Sequence, residues 1–144
     1  MDQKDLKILD YLMENGRDKI SDISRELDIP RVTVHERIQG MIKSGVIRKF
    51  TAIPDYEAIG LKFTAFIFVG FSANQKVSQR DLAKKIAQMR EVAEVHIITG
   101  QWDLLLKARG NTLKEIGDLV LDRLREMEGI EKTETVAVFQ TVKD

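Results

Sequence analysis

Over the first fifty positions, apolar residues return at three- and four-residue steps, the period of helices that bury one face. Leu6, Leu9, Leu12 and Met13 form the first stripe, opened by Asp2 as an N-cap and ended at Asn15-Gly16. Ile23 and Leu27 mark a second, shorter helix, with Ser21 placed to cap it. Asp28-Ile29-Pro30 interrupts that helix. Proline fixes φ and suits a first helical turn, so a third helix is expected from Pro30 or Arg31 to Ser44, stopping at Gly45. Its inward side is Val34, Ile38, Met41 and Ile42.

Beyond Gly45 the pattern becomes extended. Val46 to Ile53 reads as a wing or linker strand broken at Pro54-Asp55, and Leu61 to Phe71 as a strand apolar on both faces. Ser78 caps a helix carrying Leu82, Ile86 and Met89. Val92 to Thr99 and Leu104 to Arg109 read as a hairpin around a tight Gly100-Gln101-Trp102-Asp103 turn, with His96 in an apolar-looking strand. Thr112-Leu113-Lys114-Glu115 is a capping box for a helix with the stripe Ile116, Val120, Leu124 and Met127, closed by Gly129. A strand from Lys132 to Val142 ends the pattern.

The fold class is therefore α+β: a three-helix (winged) helix-turn-helix at 1–50, a hinge or linker strand at 51–60, and a βαββαβ ferredoxin-like domain at 61–144. Two helices cover one face of such a sheet, while Phe66-Ile67-Phe68-Val69 and Leu104-Leu105-Leu106 are apolar on both. A second copy of the same sheet is the simplest cover, giving an isologous homodimer.

Composition narrows the function more than it names it. The 144 residues contain no apolar run near twenty, so no membrane span is expected, and Met1-Asp2-Gln3-Lys4-Asp5 is too polar for a signal peptide. A cytoplasmic location is expected. With no cysteine, two histidines and no phosphate-binding glycine loop, neither metal, cofactor nor catalysis is expected. Ferredoxin-like domains also host enzymes, but an enzyme would leave the first fifty residues without a use. A metabolite sensor that contacts protein partners through its helix-turn-helix is the other rival.

Net charge is zero, so a nucleic-acid surface has to be local. Six basic residues face four acidic ones between Ser21 and Lys49. Ile23, Leu27, Ile29 and Val34 have the spacing of a helix-turn-helix crossing, with small Ser24 at the approach and Asp28 where a turn glycine is frequent. Opposite the inward side of the third helix stand Val32, Thr33, Glu36, Gln39, Gly40 and Lys43, flanked by Arg31, His35 and Arg37. Gln39 can bond adenine, Glu36 can accept from cytosine, Val32 can touch a thymine methyl, and Gly40 permits close approach. Lys43, Arg48, Lys49 and the helix start near Ser21 suit phosphates. An ordinary solvated helix face fits the same residues. For double-stranded DNA, a dimer implies a pseudo-palindromic site.

Asp5…Ile8-Leu9…Leu12, Asn15-Gly16-Arg17, Val34-His35-Glu36-Arg37-Ile38, Ser44-Gly45-Val46-Ile47, Thr51-Ala52-Ile53, Thr99-Gly100-Gln101-Trp102-Asp103, Thr135-Val136 and Thr141-Val142-Lys143 occur in an order and spacing that carry a resemblance. The chain resembles the Lrp/AsnC, or feast/famine, transcription regulators. The resemblance implies a helix-turn-helix, a hinge strand, and a regulatory domain that dimerises, with tetramers or octamers as larger assemblies. It also implies amino acids or related metabolites as effectors. Arg37 corresponds to the family's recognition-helix arginine, and Gly100 with Asp103 to its glycine-x-x-aspartate effector turn. Amides beside Gly100 can hold a carboxylate, and Asp103 can receive an ammonium group. His96, Thr99, Trp102, Thr133 and Thr135 are further effector candidates on strands near the turn. Asp103 serves equally well to shape the hairpin, Trp102 to fill an interface, and His96 to sit in a core.

Overall fold

The computed structural model describes residues 1–73 and 76–143. The chain divides into two compact units, one spanning Met1–Ile53 and one beginning at Pro54. Among the described residues, no helix is long and apolar enough to cross a membrane.

The first unit is three helices, α1 (Gln3–Glu14), α2 (Ile20–Leu27) and α3 (Arg31–Lys43). Asp2 caps α1 as expected, in a full capping box with Asp5. Ile8, Leu12, Ile23, Ile29, Val34, Ile38, Met41 and Ile47 make one buried cluster. Three expectations are corrected. Ser21 does not cap α2: Lys19 is the extended residue before the helix, which places Ser21 inside the first turn. Ile42 is 42% exposed, since Val34, Ile38 and Met41 already fill the inward side of α3. Residues 46–62 form no strand, neither as a wing nor as a 51–60 hinge, because nothing among the described residues pairs with them. Residues 56–60 are turns.

In the second unit, β1 (Phe63–Phe71), α4 (Gln79–Ile86), β2 (Val92–Ile97), β3 (Leu104–Gly110), α5 (Leu113–Asp118) and β4 (Ile130–Ala137) follow the βαββαβ order. All pairings are antiparallel and the strand order is β2-β3-β1-β4. Ser78 and Thr112 cap α4 and α5, each accepting from the amide three residues on. Beyond α5 the helix continues as a π-helical turn, Leu119–Leu124, which brings both Leu119 and Val120 into the core.

The strands' two-residue period sorts their side chains between two faces. Ala65, Ile67 and Val69 of β1 and Leu104, Leu106 and Ala108 of β3 are buried under Leu82, Ile86, Ile116 and Leu124. Phe66, Phe68 and Leu105, on the other face, are half-buried, and Val136 is exposed. The expectation that β1 is buried on both faces therefore fails for the single chain, since the helices reach only one. The hairpin turn is also longer than expected: six residues, 98–103, join β2 to β3. Within it, the Ile98 amide donates to the Asp103 carbonyl at 2.9 Å.

Asp28 is the one non-glycine with positive φ among the described residues (φ 53°, ψ 46°). Glycine relieves that left-handed backbone and a β-branched residue aggravates it. Asp28→Gly is expected to raise stability by about 0.5–1 kcal/mol and Asp28→Val to lower it, read from urea midpoints. The opposite order would mean that the Asp28 side chain itself holds the turn.

Candidate nucleic-acid interface and effector turn

The α2–α3 turn is closed by three bonds to or from Ser24. Its hydroxyl donates to the Ile29 carbonyl at 2.6 Å, and its carbonyl accepts from the amides of Asp28 and Ile29. Sequence had marked Ser24 only as small, because a hydroxyl's partner is set by the turn it helps to form. This turn fixes α3 against α2 and leaves Arg31, Val32, His35, Glu36, Gln39, Gly40 and Lys43 exposed, with Thr33 half-buried. Arg48 and Lys49 are exposed just beyond α3. Among the described residues, Arg31, Lys43, Arg48 and Lys49 have no carboxylate partner, whereas Arg25 is paired with Asp22 and Glu26.

Arg37, expected to flank the outward side, is half-buried and already engaged within the unit. Its Nη1 donates to Asp2 Oδ2 at 2.7 Å and to Asp5 Oδ1 at 3.2 Å, and the Asp5 side chain is only 11% exposed. The capping box draws two carboxylates together at the start of α1, and Arg37 supplies the cation they need. Its guanidinium thus orients α3 from within the unit. The Asp5 amide and the Arg37 guanidinium hold the Asp2 carboxyl below its ordinary value, and Asp2 in turn raises Arg37.

At the hairpin, Asp103 is an organiser of backbone. Its Oδ2 accepts from the Phe71 amide at 2.8 Å, its own amide donates to the Val69 carbonyl at 3.0 Å, and its carbonyl accepts from Gln79 Nε2 at 3.2 Å. Gly100 has φ 113°, which permits the reversal, and both Thr99 and Gly100 are exposed. Trp102 packs on the open face, its ring 5.9 Å from Phe68, with Lys132 Nζ 4.6 Å above it. That approach depends on Gly70, where a Cβ would stand 2.7 Å from Lys132 Cγ.

The seven expected effector residues are not brought together. His96 pairs with Leu105 and so shares the open face with Trp102; it is exposed and bonded to Glu94 at 3.1 Å, not buried in a core. That bond, with Lys107 beside it, keeps the Glu94 carboxyl low. Thr133 and Thr135 pair with Val69 and Ile67, which puts them on the helix-covered face. There Thr133 Oγ1 accepts from Arg125. Alternation along β4 is clear in sequence, but its register against β1 is not.

A helix-turn-helix followed by a ferredoxin-like sheet defines a two-part DNA-binding regulator with a ligand-binding domain. Residues 64–144 match the family described as the Lrp/AsnC ligand binding domain, and residues 1–48 match winged helix-turn-helix DNA-binding domains. An uncharacterized HTH-type transcriptional regulator of Pyrococcus horikoshii is 42% identical over 144 residues, 100% of this chain and 96% of that one. The HTH-type transcriptional regulator FL11 of Pyrococcus horikoshii is 35% identical, covering 100% and 93%. Among solved structures, a Neisseria meningitidis transcriptional regulator in complex with L-Met superposes with a TM-score of 0.92 at 27% identity, covering 100% and 93%. An AsnC family regulator from Agrobacterium tumefaciens, at 22% identity, has the same fold with a TM-score of 0.92, covering 100% and 94%. The chain belongs to the Lrp/AsnC family of DNA-binding transcription regulators.

The Arg37 network predicts an acid dependence. A carboxyl depressed in the folded state adds stability above its ordinary range and loses it as pH falls through the depressed value. Arg37→Met is expected to melt below wild type at neutral pH, and the two curves should converge in strong acid. A gap that widens toward acid in thermal melts would contradict the assignment.

Proposed function

We propose that this protein is a sequence-specific regulator that reads a pseudo-palindromic DNA site as a homodimer in the cytoplasm and responds to an amino acid or related metabolite. The observation that carries the DNA reading is the outward side of α3, where Val32, Glu36, Gln39, Gly40 and Lys43 are exposed beside cations without partners. Gln39, Glu36 and Val32 would read base edges, with Thr33 and His35 beside them. Arg31, Lys43, Arg48, Lys49 and the α2 start near Ser21 would hold phosphates. Arg37 would act through the position of α3.

Dimerisation rests on the open sheet face, where Phe66, Phe68, Trp102, Leu105 and Val136 form an apolar strip that helices leave uncovered. A second sheet would bury it and bring two reading helices to half-sites about 34 Å apart. Tetramers or octamers would follow from contacts between dimers. The effector reading rests on the hairpin: Asp103 Oδ2 is engaged by Phe71, and its other oxygen, beside exposed Thr99 and Gly100, would take an ammonium group. The bound L-Met of the Neisseria meningitidis regulator supports an amino acid as the ligand class. Trp102 and His96 would border the same end of the open face. Thr133 and Thr135 face the other side and take no part.

Gel shifts over a fragment pool test the first half. Gln39→Ala should flatten discrimination between sites, while Lys43→Ala should weaken all sites and reduce the salt slope by about 1. Wild-type behaviour in both variants would remove α3 as the reader. Phe68→Asp should convert a dimer to monomer in sedimentation at micromolar concentration. A wild type that sediments as a monomer there would reject the sheet interface.

A further inference from the structure

At the end of the sheet remote from the hairpin lies a cleft of about 720 Å³. Tyr56, Ile59 and Leu61 line it from the segment before β1, with Arg90 and Glu91 before β2 and Arg109 near the end of β3. The Arg109 guanidinium carbon is 3.6 Å from the centre of the Tyr56 ring. Stacking of this kind fixes the plane of a guanidinium while leaving its edge donors free. Among the described residues neither Arg109 nor Arg90 forms an ion-pair contact, though Arg90 helps to hold the neighbouring Glu91 carboxyl low.

The carboxylates of the same wall are already engaged. Glu94 is bonded to His96 and Lys107, and Glu115 accepts from the Asn111 amide at 2.7 Å. Glu91 Oε1 accepts from Arg123 at 2.7 Å, and Glu91 Oε2 is closed off from solvent, so it does not face the cleft as an acceptor. The cleft thus offers two guanidinium groups outside any ion pair and an apolar wall of Ile59, Leu61 and the Tyr56 ring.

We propose that this cleft is a ligand site for a small monocarboxylate with an apolar tail. Arg109 and Arg90 grip the carboxylate, and the tail lies against Ile59, Leu61 and Tyr56. Three glutamates on the wall work against a dianion. The seven residues of β3 separate this cleft from the hairpin by about 20 Å, so it is a second site and does not rest on the effector reading of Asp103. Because Tyr56 lies in the segment that enters the second unit, occupancy fixes the start of that unit as well as the sheet end.

Titration calorimetry on the full chain tests this, with straight-chain monocarboxylates from acetate to hexanoate and the apolar L-amino acids as probes. Asp103→Asn alters the hairpin alone, while Arg90→Met and Arg109→Lys alter the cleft. Arg90 is exposed and forms no ion-pair contact, so its replacement leaves the fold intact, which circular dichroism checks. The expected result is saturable binding that survives Asp103→Asn and weakens roughly tenfold or more in each arginine variant. Binding unchanged in both arginine variants, or no saturable binding by any monocarboxylate, overturns the site. Binding abolished by Asp103→Asn alone would support the hairpin reading and reject this one.

Discussion

The pleat of β1 sets what the second unit has to do. Ala65, Ile67 and Val69 enter a core roofed by α4, α5 and the π-helical turn, while Phe66 and Phe68 face the other way with Leu105 and Trp102. Burying an aromatic side chain contributes about 1.5–3 kcal/mol, and two helices cannot cover both faces of four strands. The apolar strip is therefore a standing driving force for association, and the side chains around it are arranged to tolerate water at the edges. His96, Glu94, Lys107 and Lys132 ring the strip with charge and hydrogen bonds.

A comparable division of labour runs through the helical unit. Most residues of α3 either fill the core, as Val34, Ile38 and Met41 do, or remain exposed. Arg37 is spent on Asp2 and Asp5. Holding α3 to the start of α1 through an ion pair, and to α2 through Ser24, gives the helix two supports from within its own unit. Rigid placement of this kind is what base readout requires, since bidentate contacts fail with small displacements.

The two ends of the sheet differ in how their charged groups are used. At the hairpin, Asp103 is tied to Phe71 and its backbone to Val69 and Gln79, so three hydrogen bonds fix the turn to β1 and the start of α4. At the far end, Arg109 is held by an aromatic ring and not by an acid, which leaves its hydrogen-bonding capacity unspent. A preorganised donor without an internal partner is suited to an external one.

Helix and strand identities, the caps at Asp2, Ser78 and Thr112, the order βαββαβ and the uncovered sheet face were legible in the sequence, because each follows from local periodicity or a local hydrogen bond. The family resemblance, too, rests on residues close together along the chain. Strand content at 46–53 was misread because extended propensity forms a strand only where a neighbour supplies hydrogen bonds. The destinations of Arg37, His96 and Thr133, and the meetings of Tyr56 with Arg109 and of Lys132 with Trp102, were settled by register and packing between segments far apart in sequence. Sequence alone thus determined most of the helices and strands and that two helices leave one sheet face open. Only tertiary structure decided which charges are spent inside the protein and which remain for a ligand or for DNA, because an ion pair depends on where two side chains meet in space.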